Sequence, residues 1–87
     1  MAGIDWTYYR RVQQLRRAAR LETRIQAIWH LKRRGYDVKE LAAHHFRING
    51  IVDLYPVHNQ WHDLRTEERG GAKDLVIWIK EHLKPNE

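Results

Sequence analysis

The chain contains no cysteine and no serine. Without cysteine there is no disulfide framework and no thiolate metal site, which fits a reducing compartment. Without serine as well, the usual thiol and hydroxyl nucleophiles are missing. No apolar run approaches the roughly 18 residues of a membrane span, and the N-terminus lacks the apolar stretch of a signal peptide, so a soluble, unprocessed chain is expected. Proline occurs only at Pro56 and Pro85, and from Thr7 to Arg34 there is neither proline nor glycine. Nothing in that stretch breaks a helix. With 87 residues there is room for one modest core, and residues 1–87 read as a single domain.

What is abundant is positive charge, and it is unevenly placed. The net charge is +5 and the isoelectric point is near 9.9. Residues 1–34 hold nine lysines and arginines against only Asp5 and Glu22, a local charge of +7, whereas residues 35–87 hold seven basic and nine acidic side chains, about −2. At about 100° per residue, Arg10, Arg17, Arg20 and Arg24 fall within roughly 80° of arc on a continuous helix, so several guanidinium groups can track a phosphate backbone. A charge run is usually a solvated face. Seven unbalanced charges over about 30 residues nevertheless exceed what solubility requires, and point to nucleic acid or an acidic protein surface as partner.

The helical stretch carries two apolar stripes. Tyr8, Val12, Leu15 and Ala19 share one side, while Leu21, Ile25, Ile28 and Trp29 cluster about 100° away. Thr23 and Gln26 have capping-box spacing, so residues 7–34 read most simply as two helices with a break near 20–23; one long helix with two packing partners is the alternative. Gly35 after Lys32-Arg33-Arg34 marks a helix C-terminus. Asp37 and Glu40 then suggest a short third helix to about Ala43. His45 to Ile48 alternates as a strand, Asn49-Gly50 is a strong hairpin turn, Ile51 to Tyr55 is the return strand and Gln60 to Leu64 a third. Arg65 to Gly71 reads as a polar loop, Lys73 to Leu83 as a closing helix, and residues 84–87 as a fraying tail.

The segment Trp61-His62-Asp63, Thr66, Gly70-Gly71, Asp74-Leu75 reads as strand, glycine turn and helix. It resembles the end of the zinc-finger-like N-terminal domain of bacterial-type DNA primases, in the form found in phage and plasmid replication proteins, with its W-x-D, T, G-G, D-L pattern. The resemblance covers residues 44–83, about half the chain. Zinc-bearing members hold their metal with cysteines, so this would be a cysteine-free, zinc-less form, lacking the catalytic domain that normally follows. What the resemblance implies is a small mixed module from a mobile element with affinity for DNA.

Other constellations have plainer readings. The loop Arg65 to Gly71 ahead of a helix N-terminus offers backbone amides to an anion, with Arg65, Arg69 and Lys73 adding charge, but Glu67 and Glu68 oppose it and the glycines suffice for a tight turn. His58 and His62 are four apart, yet lie on a turn and a strand where that spacing does not converge on an ion, so no metal site is assigned. Tyr55 and Trp61 on adjacent strands are the best candidates for base stacking, while Trp29 and Trp78 lie on apolar helix stripes and belong to the core. A helix-turn-helix over Ile25 to His44 leaves too short a second helix.

The reading is an α+β domain with two N-terminal helices, a short third, a small three-stranded antiparallel sheet and a C-terminal helix packed on it, residues 7–34 forming the basic part and 37–83 the remainder. Its job is binding, with no catalysis and no cofactor: a phage or mobile-element accessory protein in the bacterial cytoplasm. It would contact nucleic acid through Arg10, Arg17, Arg20 and Arg24, extended by Arg65, Arg69 and Lys73. The alternatives are an anti-CRISPR-like inhibitor docking on a host defence nuclease complex, or a homodimer formed through Tyr8, Val12 and Leu15. No membrane contact is expected.

Overall fold

The computed structural model describes residues 6–86, the side chain of Trp6 aside. The elements run α1 (Trp6–His30), a 3-10 turn (Leu31–Arg34), β1 (Val38–Ala42), β2 (His45–Ile48), β3 (Val52–Tyr55), β4 (Gln60–Asp63), β5 (Glu68–Gly71) and α2 (Leu75–His82). The strands form one antiparallel meander in the order β1-β2-β3-β4-β5. The class is α+β, but the expected three-stranded sheet is five-stranded, and among the described residues there are two α-helices where three N-terminal ones and a closing one were expected.

Each difference has a local cause. The expected break near residues 20–23 does not occur, because the Thr23 hydroxyl turns back to donate to the Ala19 carbonyl at 2.9 Å. That is how a threonine behaves inside a helix, not at its cap. The helix ends at Gly35, whose φ of 94° lets its N–H reach the Leu31 and Lys32 carbonyls. The expected helix at 37–43 is β1, since Asp37 is claimed by the β2–β3 turn. Its N–H donates to Asn49 Oδ1 at 2.9 Å and its carbonyl accepts from the Asn49 N–H at 2.8 Å. Pairing with β2 satisfies backbone groups that an isolated helix of two turns would leave open. The β1–β2 register shifts between Glu40 and Ala42, leaving Leu41 45 % exposed.

Alternation divides the sheet into two faces. Val38, Phe46, Ile48, Val52 and Leu54 point to one side and are buried with Ile28, Leu31, Leu75, Ile79 and Leu83 from the helical segments. Trp29 packs edge-on against Phe46, ring centroids 5.5 Å apart. Only the C-terminal part of α1 takes part; most side chains from Thr7 to Arg20 are exposed. A 25-residue helix is about 37 Å long at 1.5 Å per residue. It gives the molecule its 62 × 26 × 23 Å outline. The two apolar stripes therefore belong to one helix in two environments. The tail does not fray: the Tyr36 hydroxyl donates to the Leu83 carbonyl at 3.0 Å, Asn49 Nδ2 to the Lys84 carbonyl at 2.9 Å and the Asn86 N–H to the Gly35 carbonyl at 2.8 Å. Glu87 lies outside the described residues. Among the described residues no helix is long and apolar enough to cross a membrane.

The expected loop at 65–71 is a four-residue connection followed by β5. Asp63 closes the connection: its Oδ1 accepts from the Arg65 N–H at 2.9 Å and its carbonyl from the Glu67 N–H at 2.8 Å. Gly70-Gly71 is thus strand, not turn. Gly70 pairs with Trp61, and a Cβ there would lie 2.7 Å from Trp61 Cζ2. The indole cannot easily yield, being stacked on Trp78 at 4.3 Å. Gly70→Ala is expected to cost about 1–3 kcal/mol by overpacking. At Gly71 a Cβ would meet only the Asn59 carbonyl oxygen at 3.5 Å. Gly71→Ala should therefore be neutral, or stabilising by up to about 1 kcal/mol. Urea midpoints of the two variants check this, and equal effects would refute the assignment.

Candidate functional site

The exposed side of α1 carries a chain of linked shallow grooves. Arg10 and Arg17 border the first; Arg17, Arg20 and Arg24 border the second, with Val57; Arg20, Arg24 and Lys73 border the third. Shared arginines make these one band, spanning about 21 Å from Arg10 to Arg24 at the helical rise. Arg24 is anchored, its Nη1 donating to the Pro56 carbonyl at 3.1 Å. Among the described residues none of Arg10, Arg17, Arg20, Arg24 and Lys73 is within ion-pair distance of a carboxylate. The third groove, about 410 Å³, has Ala19, Ala27, Leu75 and Val76 in its lining.

The structure does not bring Arg65 and Arg69 to this band. Arg65 sits in the β4–β5 connection and is held by Asp63, with Nε to Oδ1 at 3.1 Å and Nη2 to Oδ2 at 2.9 Å. That side-chain hydrogen bond, opposed by partial burial and helped by the Arg65 N–H, holds the Asp63 carboxyl below its usual range. Arg69 lies on the sheet face away from the helices, paired in register with His62. The backbone amides ahead of α2, weighed as an anion cradle and set aside, are taken up within the chain. Asp74 caps the helix, its Oδ1 accepting from the N–H groups of Val76 at 2.9 Å and Ile77 at 3.2 Å, so a carboxylate of the chain already occupies that place.

The helix-free sheet face holds a second group of charged and aromatic side chains. Register lines up Lys39, Arg47, Asp53, His62 and Arg69 in one row across all five strands. Arg47 grips Asp53 through Nε to Oδ1 at 2.7 Å and Nη2 to Oδ2 at 3.2 Å. His45 Nε2 approaches Asp53 Oδ2 to 3.0 Å, and its ring stacks on Tyr55 at 4.7 Å. These neighbours reduce Asp53 to 3 % exposure. Burial alone would raise its carboxyl, but hydrogen bonding and charge from Arg47 and His45 outweigh it and hold the group below its usual range.

The ionised form therefore contributes stability above the unfolded value near 3.9, and this is lost as pH falls through the folded value. Asp53→Asn should cost about 1–3 kcal/mol at pH 7, by weakening charge-assisted hydrogen bonds to a buried group. The deficit relative to wild type should shrink below about pH 4. Urea unfolding at both pH values measures it; a deficit unchanged by pH would contradict the carboxylate's role.

Tyr55 and Trp61 do not form the expected stacking pair. Leu54 faces Trp61 and Tyr55 faces Gln60 in the register, so the two rings lie on opposite faces. Trp61 stacks instead on Trp78, which stacks on His82 at 4.3 Å. Among the described residues no group of three or more His, Asp or Glu is arranged to hold a metal ion. Sequence reasoning overlooked the His45–Arg47–Asp53 cluster. Its signal was the strand alternation either side of Asn49-Gly50, which puts those residues on the outward face.

No protein-family model matches the chain, and no curated protein or solved structure is significantly similar to it.

Proposed function

We propose that the chain binds nucleic acid through the arginine band of α1. The observation that carries this is the continuous run Arg10, Arg17, Arg20, Arg24 and Lys73. It lies on a helix whose N-terminal part stands clear of the core, and no described carboxylate is within ion-pair distance of it, Asp74 being the one acidic residue that lines the grooves. Cations on a projecting rod reach phosphates that a flat surface would not. Arg65, tied to Asp63, and Arg69, on the other face, are left out of the site. The primase-like segment 61–75 supports a setting in a phage or other mobile element inside a bacterial cell, with a binding and not a catalytic role.

Fluorescence anisotropy with a labelled 30-nucleotide probe, single- and double-stranded, between about 50 and 300 mM salt tests the reading. Each phosphate contact should add roughly 0.7–0.9 to the slope of log affinity against log salt. An affinity indifferent to salt overturns it. A second reading, docking on an acidic protein surface, draws on the apolar lining of the third groove, for which a phosphate backbone has no use.

A further inference from the structure

On the sheet face that the helices leave uncovered, the outward row next to Arg47–Asp53–His62–Arg69 runs His45, Tyr55, Gln60, Gly71. Its first two members are rings stacked 4.7 Å apart, the spacing of neighbouring strands. The row then loses its bulk. Gln60 has no ring and Gly71 has no side chain, and an open pocket of about 610 Å³ lies there, with Tyr55, His58, Gln60, His62 and Arg69 among its walls. His45 covers one side of the Tyr55 ring, and Tyr55 borders the pocket. A planar group seated over Gln60 and Gly71 would extend the stack by one strand.

The next row supplies charge. Arg69 is exposed and, among the described residues, has no carboxylate within ion-pair distance. His62 keeps Nε2 buried without a hydrogen-bond partner. The carboxylate beside it, that of Glu67 at 3.5 Å, belongs to a side chain that is 79 % exposed. Asp53, the other acid on this face, is already neutralised by Arg47 and His45. A ring slot beside an unpaired guanidinium and two histidines matches a planar heterocycle joined to a phosphate.

We propose that this pocket binds a nucleoside monophosphate, its base on Tyr55 over Gly71 and its phosphate at Arg69 and His62. The site is separate from the α1 band and does not depend on it.

AMP and CMP titrated into 15N-labelled protein, with adenosine and inorganic phosphate as controls, test the proposal. The amides of Gly71 and Arg69 should shift, and a mononucleotide should bind at least about tenfold more tightly than adenosine or phosphate alone. Gly71→Val, which fits an extended strand and whose Cβ would meet only the Asn59 carbonyl oxygen at an ordinary contact of 3.5 Å, should fill the slot and lose about tenfold in affinity with Tm unchanged. Arg69→Gln, an exposed substitution that also covers the case in which Gly71→Val folds poorly, should reduce AMP to the affinity of adenosine. Phosphate binding as tightly as AMP, shifts confined to α1, no binding at all, or wild-type affinity in folded Gly71→Val would each overturn the proposal. Oligonucleotide binding through α1 should be the same in both variants, so the two sites fail or stand independently.

Discussion

Phe46→Ala is expected to lower the unfolding free energy by about 3–5 kcal/mol, a large part of the stability of a domain this small. Phe46 is fully buried in the second strand of the sheet. It faces Leu54 across β3 and meets Trp29 of α1 edge-on at 87°. Truncation would leave a hole bounded by a rigid sheet and by an indole that is itself 37 % exposed. The sheet cannot collapse into it, so the cavity cost adds to the lost transfer energy. Urea unfolding followed by circular dichroism measures the loss. A cost below about 1 kcal/mol would mean that α1 does not clamp the sheet at this point. Leu41→Ala, at the exposed β1 irregularity, is the matched control and should change stability by less than about 0.5 kcal/mol.

Neutralising Arg10, Arg17 and Arg20 together, each to Gln, should weaken binding to a labelled oligonucleotide on the order of 100-fold near 0.1 M salt and flatten the salt dependence by about 2–3 in slope. The size follows from three lost phosphate contacts. Arg24 is spared because its hydrogen bond to the Pro56 carbonyl ties it to the β3–β4 connection, and its loss would mix a folding effect with a binding one. The three substituted side chains are exposed on a helix that Gln supports nearly as well as Arg, so Tm should hold. A variant that keeps both the affinity and the salt slope of the wild type would remove the α1 band from consideration. Loss of affinity with the slope intact would indicate damage elsewhere.

Parts of this architecture can be read directly from the chain, and the reasons are particular. Asn49-Gly50 supplies two consecutive positive φ values, 54° and 71°, and the alternating residues either side form β2 and β3. Gly35 ends the helical segment and Asp74 opens α2, each by a mechanism written in its own side chain or lack of one. β1 and β5 are different. Val38–Ala42 carries helix-forming Lys, Glu, Leu and Ala, and Glu68–Gly71 contains no β-branched or aromatic residue. Both are strands because a neighbouring edge offers backbone partners, and in β5 because Trp61 needs the space over Gly70. Local preference does not reveal that.

The candidate sites divide along the same line. Four arginines on one helical face follow from periodicity alone, whereas joining Lys73 to them requires α2 to be docked beside α1. The pairing of Arg47 with Asp53 depends on Ile51. A strict two-residue turn would set Ile48 opposite Ile51, but the observed register sets Ile48 opposite Val52. That one extra residue moves Asp53 across from Arg47.

Every strand of the sheet pairs with the strand next to it in sequence. Assembly can then proceed by successive closures of short hairpins, each bringing together ends separated by only a few residues, with little chain entropy lost at any step. Among antiparallel-sheet proteins such an order belongs at the fast end of folding rates. The longer closure is that of α2, whose Leu75 and Ile79 join Ile28 and Leu31 in the core from more than 40 residues further along the chain.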